Sequence, residues 1–137
     1  RLSLVGSEMC IRDSFYFDTH FDHIGKQARA ESARMMVARM KRIAGEKAAV
    51  FLSGDLNTTY DNALLDPLKA WMQSARHAAP VTDELPTFND FGKRSLWIDF
   101  IFARNARALA YRTLVDSGRY GVPFLSDHNP VYALYKL

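Results

Sequence analysis

The 137-residue chain has the length of one ordinary domain, and a second is not expected. Hydrophobic residues make up 48% and aromatics 12%, enough to bury a core, while the longest apolar runs are far too short to cross a bilayer. A net charge of +3 and a pI near 9.1 suit an anionic ligand without requiring one, and the single cysteine, Cys10, excludes an internal disulfide framework and a cysteine-rich zinc site.

Residues 1–14, RLSLVGSEMCIRDS, carry neither the pattern of a signal peptide nor a clear secondary-structure period. Residues 15–21 are rich in β-formers and free of Gly and Pro, which predicts a strand. A helix is predicted over residues 26–44. There Ala28, Met35, Met36, Met40 and Ile43 fall near helical spacing, Arg29, Arg34, Arg39, Lys41 and Arg42 give charged faces, and Gly45 is a stop. Residues 48–53, AAVFLS, form a continuous apolar run of the kind covered on both faces, and strand, helix, strand in that order predicts an α/β layered protein. Asp61 or Asn62 can cap a short helix through about residue 73, interrupted or restarted at Pro67. Residues 79–93 read as a loop with some extended structure. Strands are predicted over 96–103, 108–115 and 130–137, with a Gly- and Pro-containing loop over 116–128.

Short polar clusters stand where these apolar runs end, the places where a packed scaffold can present reacting groups. In DTHFDH, residues 18–23, strand alternation puts Asp18, His20 and Asp22 on one side and Thr19, Phe21 and His23 on the other. Four ligands therefore cannot converge on one ion without a bend. His20 is left as the chemical residue, with Asp22 and His23 shaping the turn. In GDLN, residues 54–57, Asp55 and Asn57 share a side if the chain stays extended. That pair can hold a hard cation or orient water while the amide meets a phosphate oxygen, though a simple Asp/Asn turn at Gly54 explains the same four residues. In SDHNP, Asp127 and His128 point in different directions, so one can bind a cation while the other exchanges a proton; a capped turn before an edge strand is the alternative. Asp99 is the only charge within LWIDFIFA. If buried it needs a partner, and a histidine whose tautomer it fixes is the economical one; an edge-strand position facing solvent is the alternative.

Taken in order, THFDH, GDLN, IDFIF and SDHNP resemble the endonuclease/exonuclease/phosphatase superfamily, over residues 15–137. Within it the chain looks most like bacterial metal-dependent hydrolases with a THxDHxG start and a TFNxFG loop, here Thr87 to Gly92. The resemblance implies half of a four-layer α/β/β/α sandwich with a mostly antiparallel mixed sheet. It also implies hydrolysis of phosphodiesters or phosphomonoesters by activated water, dependent on Mg²⁺ with Mn²⁺ as a substitute. By motif, His20 contacts the scissile phosphate, Asp55 activates water or holds the cation, and Asn57 bonds a phosphate oxygen. Asp99 orients His128 as base or phosphate ligand, Asp127 helps bind the metal, and Asn89 joins His20 and Asn57 in binding substrate.

Two departures accompany the resemblance. Trp97 stands where the family carries an Arg, and the Asn and Glu that the family's first half supplies to the metal have no counterpart before Phe15. Residues 1–14 look like translated sequencing-adaptor sequence. The expectation is therefore a non-native segment at 1–14 followed by the C-terminal half of a domain at 15–137, with one apolar sheet face left exposed. The implied partner is a phosphate ester, whether nucleic acid, phospholipid headgroup or small phosphorylated metabolite, and the full-length protein is expected to be a monomer. A different class of function is a non-catalytic module binding nucleic acid or another phosphorylated ligand. Against it, the basic residues are dispersed rather than interleaved with aromatics.

Overall fold

The computed structural model describes residues 14–115 and 118–137. Of the segment expected to be non-native, residues 1–13 lie outside them and Ser14 opens the first strand. β1 (Ser14–Asp18) runs parallel to β2 (Ala49–Asp55) through the connecting helix α1 (Lys26–Ala44), the arrangement that strand, helix, strand order predicts. β2 also pairs antiparallel with β4 (Asp99–Arg104), whose far edge carries the two-residue β3 (Gln73–Ser74), so the sheet order is β1-β2-β4-β3. Between β2 and β3 lie a 3₁₀ turn (Ala63–Leu65) and α2 (Asp66–Trp71), and β3 runs directly into α3 (Ala75–Ala78). β5 (Arg107–Thr113) and β6 (Val131–Lys136) form a separate antiparallel pair.

The sheet is covered on both faces. Val50, Leu52, Phe100 and Phe102 point to one side and pack against Ala33 and Met40 of α1 and Leu65, Leu68 and Trp71 around α2. The intervening residues point the other way: Phe51 meets the Tyr135 ring edge-on at 5.0 Å, and Ile101 joins the cluster of Ala75, Ala79, Ala108 and Tyr111 beneath the β5–β6 pair. The layers are thus helices, four-stranded sheet and two-stranded sheet. Alternation along β2 and β4 is what divides the two cores. Tyr16 on β1 and Tyr132 and Leu134 on β6 remain exposed.

The helix bounds coincide with the predicted ones, and Gly45, at φ 69°, returns its N–H to the Lys41 carbonyl. Its buried face differs from the prediction. Arg29, Ala33 and Met40 are buried and Met36, Val37 and Ala44 pack beside them, whereas Met35 and Ile43 face solvent. Arg29, expected on a charged face, is buried with its Nη1 donating to the Asp22 carbonyl at 2.9 Å. The helix turns its small Ala33 to the sheet, and the 29, 33, 36/37, 40, 44 stripe follows at helical period. The predicted helix from Asp61 or Asn62 to residue 73 is two pieces. Asn62 caps the 3₁₀ turn, accepting from Leu64 N–H, and Pro67 sits in the first turn of α2, where its missing donor costs nothing. β3 and α3 carry no periodic signal because they are two and four residues long.

The first predicted strand ends at Asp18 rather than residue 21, yet its ladder continues. Thr19 N–H donates to Ser53 O at 3.1 Å and Phe21 N–H to Asp55 O at 2.9 Å. This is allowed by Gly54, at φ 147°, where a Cβ would lie 1.7 Å from the Thr19 carbonyl oxygen. No side chain fits there. Gly54→Ala is accordingly expected to lower stability by about 3 kcal/mol, the upper end for overpacking, or to prevent folding. Chemical denaturation with an unchanged midpoint would contradict the close approach.

Candidate active site

Gly54 lets the end of β2 close on the segment after β1, so that Asp55, the last residue of the strand, lies beside His20. The chain does not stay extended beyond it. Asn57 adopts φ 49°, and its N–H donates to Asp55 Oδ1 at 2.8 Å, an Asx turn. GDLN is thus a turn, and the turn is what brings both side chains to His20. Asn57 Nδ2 donates to the Phe21 carbonyl at 2.9 Å and to Asp55 Oδ2 at 3.2 Å, and lies 3.0 Å from His20 Nε2. Its amide protons are thus engaged within the protein, which places Asn57 as a clamp on Asp55 and His20. His20 Nε2 is 3.3 Å from Asp55 Oδ2, and its side chain is 72% exposed.

From the other side of the sheet end comes His128. Its Nδ1 lies 2.9 Å from Asp99 Oδ2, so Asp99 has a histidine partner and is not a solvent-facing edge residue. Its Nε2 lies 3.8 Å from Asp55 Oδ2. Asp99 and Asp55 are register partners at the end of the β2–β4 ladder, which fixes their separation through the backbone. Asp55, Asp99 and His128 offer ligand atoms within 4.8 Å of one another. With Nδ1 protonated toward Asp99, Nε2 is the free acceptor on the open side.

The loop that carries His128 is held by a buried network. Thr87 is fully buried, and its Oγ1 accepts from the N–H groups of Ile98 and Asp99, both at 3.1 Å. Its carbonyl accepts from Asn129 N–H at 2.7 Å. Asn89 is 94% buried: Oδ1 accepts from Phe91 N–H at 2.8 Å, while Nδ2 donates to Ser126 O at 3.2 Å and Asn129 Oδ1 at 3.0 Å. All its polar atoms are in use. Asn89 thereby latches TFNDFG to SDHNP. Thr87, quoted above only as part of that motif, is the anchoring residue beneath Asp99 that sequence reasoning missed.

Asp127, expected as a metal ligand, lies outside the Asp55, Asp99 and His128 group. Its carbonyl accepts from the N–H groups of Asn89 and Asp90, and its carboxylate accepts from Ser126 Oγ at 3.3 Å. Asp22 accepts from Ile24 N–H at 2.7 Å and shapes the turn into α1, and Asp18 accepts from Ser53 Oγ at 2.8 Å. At Trp97, where an Arg was expected, the Arg76 guanidinium lies over the ring at 5.0 Å and the indole N–H donates to Leu85 O.

The donor set is two carboxylates and one imidazole. Oxygen-rich, doubly negative and only partly covered, it fits a hard divalent cation that keeps other ligands of its own. Burial pushes the Asp99 carboxyl above its ordinary 3.8, against the opposing pull of hydrogen bonds with Thr87 and His128.

No protein-family model matches the chain, and no curated protein matches it. Solved structures do. An endonuclease/exonuclease/phosphatase from Bacteroides vulgatus is 31% identical, with a TM-score of 0.76 over 88% of this chain and 49% of its own. A mannosyl-6-phosphatase from Bacteroides thetaiotaomicron is 30% identical, with a TM-score of 0.75 over 88% and 51%. D. rerio TDP2 complexed with a single-strand DNA product shares the fold, with a TM-score of 0.68 at 16% identity over 88% and 55%. The chain spans about half the length of these structures.

Because the folded state holds the Asp99 proton to higher pH than the unfolded chain does, Asp99 lowers stability as pH rises above about 3.8, and the loss is complete above the raised value. Asp99→Asn has no such proton. In chelator-treated protein the variant is expected to gain melting temperature relative to wild type as pH climbs through that window. Parallel curves, measured by calorimetry across the acid range, would contradict the assignment.

Proposed function

We propose that this chain, which belongs to the endonuclease/exonuclease/phosphatase superfamily, supplies the water-activating and phosphate-contacting residues of a metal-dependent phosphoesterase. The observation that carries the reading is the convergence of Asp55, Asp99 and His128 at one sheet end, with His20 on the open side of Asp55. The substrate class is a phosphate ester. Relatives named as a mannosyl-6-phosphatase and as TDP2 complexed with single-strand DNA product support that class without choosing between mono- and diesters. In the same reading the three layers described here are the part of a four-layer sandwich that the C-terminal half of the domain, residues 15–137, contributes.

Each residue has a distinct task. Asp99 holds His128 with its proton on Nδ1, so that Nε2 is basic and free to take a proton from water or return one to the leaving oxygen. His20, largely exposed, donates to a phosphate oxygen, and Asn57 keeps it and Asp55 in place. Asp55 and Asp99 would hold Mg²⁺, or Mn²⁺ in its stead, which supplies charge neutralisation at the phosphate and a more acidic water. The basic balance of the chain, +3, favours approach of an anionic ester.

In a full-length protein that carries both halves of the domain, hydrolysis of an aryl phosphate ester in Mg²⁺ is expected to fall by about 100- to 10,000-fold in His128→Ala, the range for a lost acid–base group, with the circular dichroism spectrum kept. Mn²⁺ is expected to broaden the imidazole NMR signals of His20 and His128 ahead of that of His77, which stacks on Tyr60. Undiminished turnover in His128→Ala would overturn its role. Equal broadening of the histidines would overturn the metal assignment.

A further inference from the structure

Beside the acidic group lies a cavity of about 510 Å³ whose wall includes Asp99 and His128 and is otherwise largely apolar. Leu114 extends it from the end of β5, Val131 from the start of β6, and Tyr120, Phe124 and Leu125 from the loop between them. The frame is built. Leu114 N–H donates to the Pro130 carbonyl at 2.8 Å, closing the two strands at its base. Gly118 N–H donates to Val122 O at 3.1 Å and Gly121 N–H to Gly118 O at 3.2 Å, forming the turn that carries Tyr120. Phe124 is seated on Gly92, where a Cβ would lie 2.8 Å from the ring. Despite this frame the apolar groups are wet: Leu114 is 51% exposed, Tyr120 62% and Leu125 63%.

An apolar hollow of ligand size with a few convergent polar groups is the usual form of a small-molecule site. The phosphate-handling residues and the hollow share Asp99 and His128, so a phosphate held between His20 and His128 places its substituent at the mouth of the hollow. A hydroxyl-rich substituent would lose its water there without regaining hydrogen bonds, which disfavours it. We infer that this cavity is a subsite for an aromatic or similarly flat apolar group attached to the scissile phosphate. The inference rests on the phosphoesterase reading of the same site. It assigns Leu114, Phe124 and Leu125 as residues that select the substrate by the group next to phosphorus.

The test uses two non-hydrolysable probes, phenylphosphonate and methylphosphonate, titrated by calorimetry into the full chain in Mg²⁺. Phenylphosphonate is expected to bind about 10-fold tighter or better, the lower end for matching an apolar pocket. Leu114→Ser and Leu125→Ser, both at half-exposed positions, are expected to bring that ratio toward one while leaving methylphosphonate affinity unchanged. Equal affinities in wild type, or a ratio that survives both substitutions, overturns the subsite alone. Absence of binding by either probe overturns the phosphate site itself and the subsite with it. Concentration-dependent dimerisation that Leu125→Ser abolishes would also overturn it, because the hollow would then be covered by a second copy.

Discussion

The close approach of the Gly54 backbone to the Thr19 carbonyl governs the arrangement of the whole sheet end. Parallel pairing between β1 and β2 outlasts β1 as a strand because Thr19 and Phe21 still donate across to Ser53 and Asp55. A side chain at position 54 would hold these segments apart. His20 would then face solvent alone, and Asp55 would keep only His128 beside it. The absence of one methyl group is what allows an irregular segment to be positioned with the accuracy of a strand.

The second half of the site depends on polar groups set behind it, buried at Thr87 and Asn89 and partly buried at Asn129. Thr87, Asn89 and Asn129 join three segments that are remote in sequence, and each uses its side-chain atoms to hold a loop rather than to contact a ligand. Burying such groups is tolerable only when they are satisfied, and here they are. The Asp99–His128 pair inherits its orientation from this layer. The proposed catalytic side chains sit in front and amides and a hydroxyl lock them from behind, a division of labour that would spare reacting groups the entropy of finding one another.

Much of this was readable in advance wherever a signal is local. The helix Lys26–Ala44 has a continuous apolar–charged alternation and a glycine stop, and the structure gives it those bounds. Asp99 stood out because a lone carboxylate in LWIDFIFA needs explaining, and its partner is His128. What escaped was non-local or too short to have a period. The face of α1 is chosen by the sheet beneath it, so Arg29 and Ala33 are inside while Met35 is outside, against their ranking by hydrophobicity. The latch at Asn89 escaped because its partners, Ser126 and Asn129, lie 37 and 40 residues away. Asn57 was expected to share a side with Asp55 through extension and instead does so through a turn, so its placement was right for a different physical reason.

His20, Asp55, Asp99 and His128 come from four separate segments, and none of them can occupy its place until the strand ends have been aligned. The contacts between them span long stretches of chain, so their formation carries the loop-closure entropy that makes such contacts late events in folding. A partly folded form that retains α1 and its local contacts would still lack the acidic cluster. Assembly of the cluster therefore acts as a readout of the completed topology, and slow, long-range strand pairing sets when it forms.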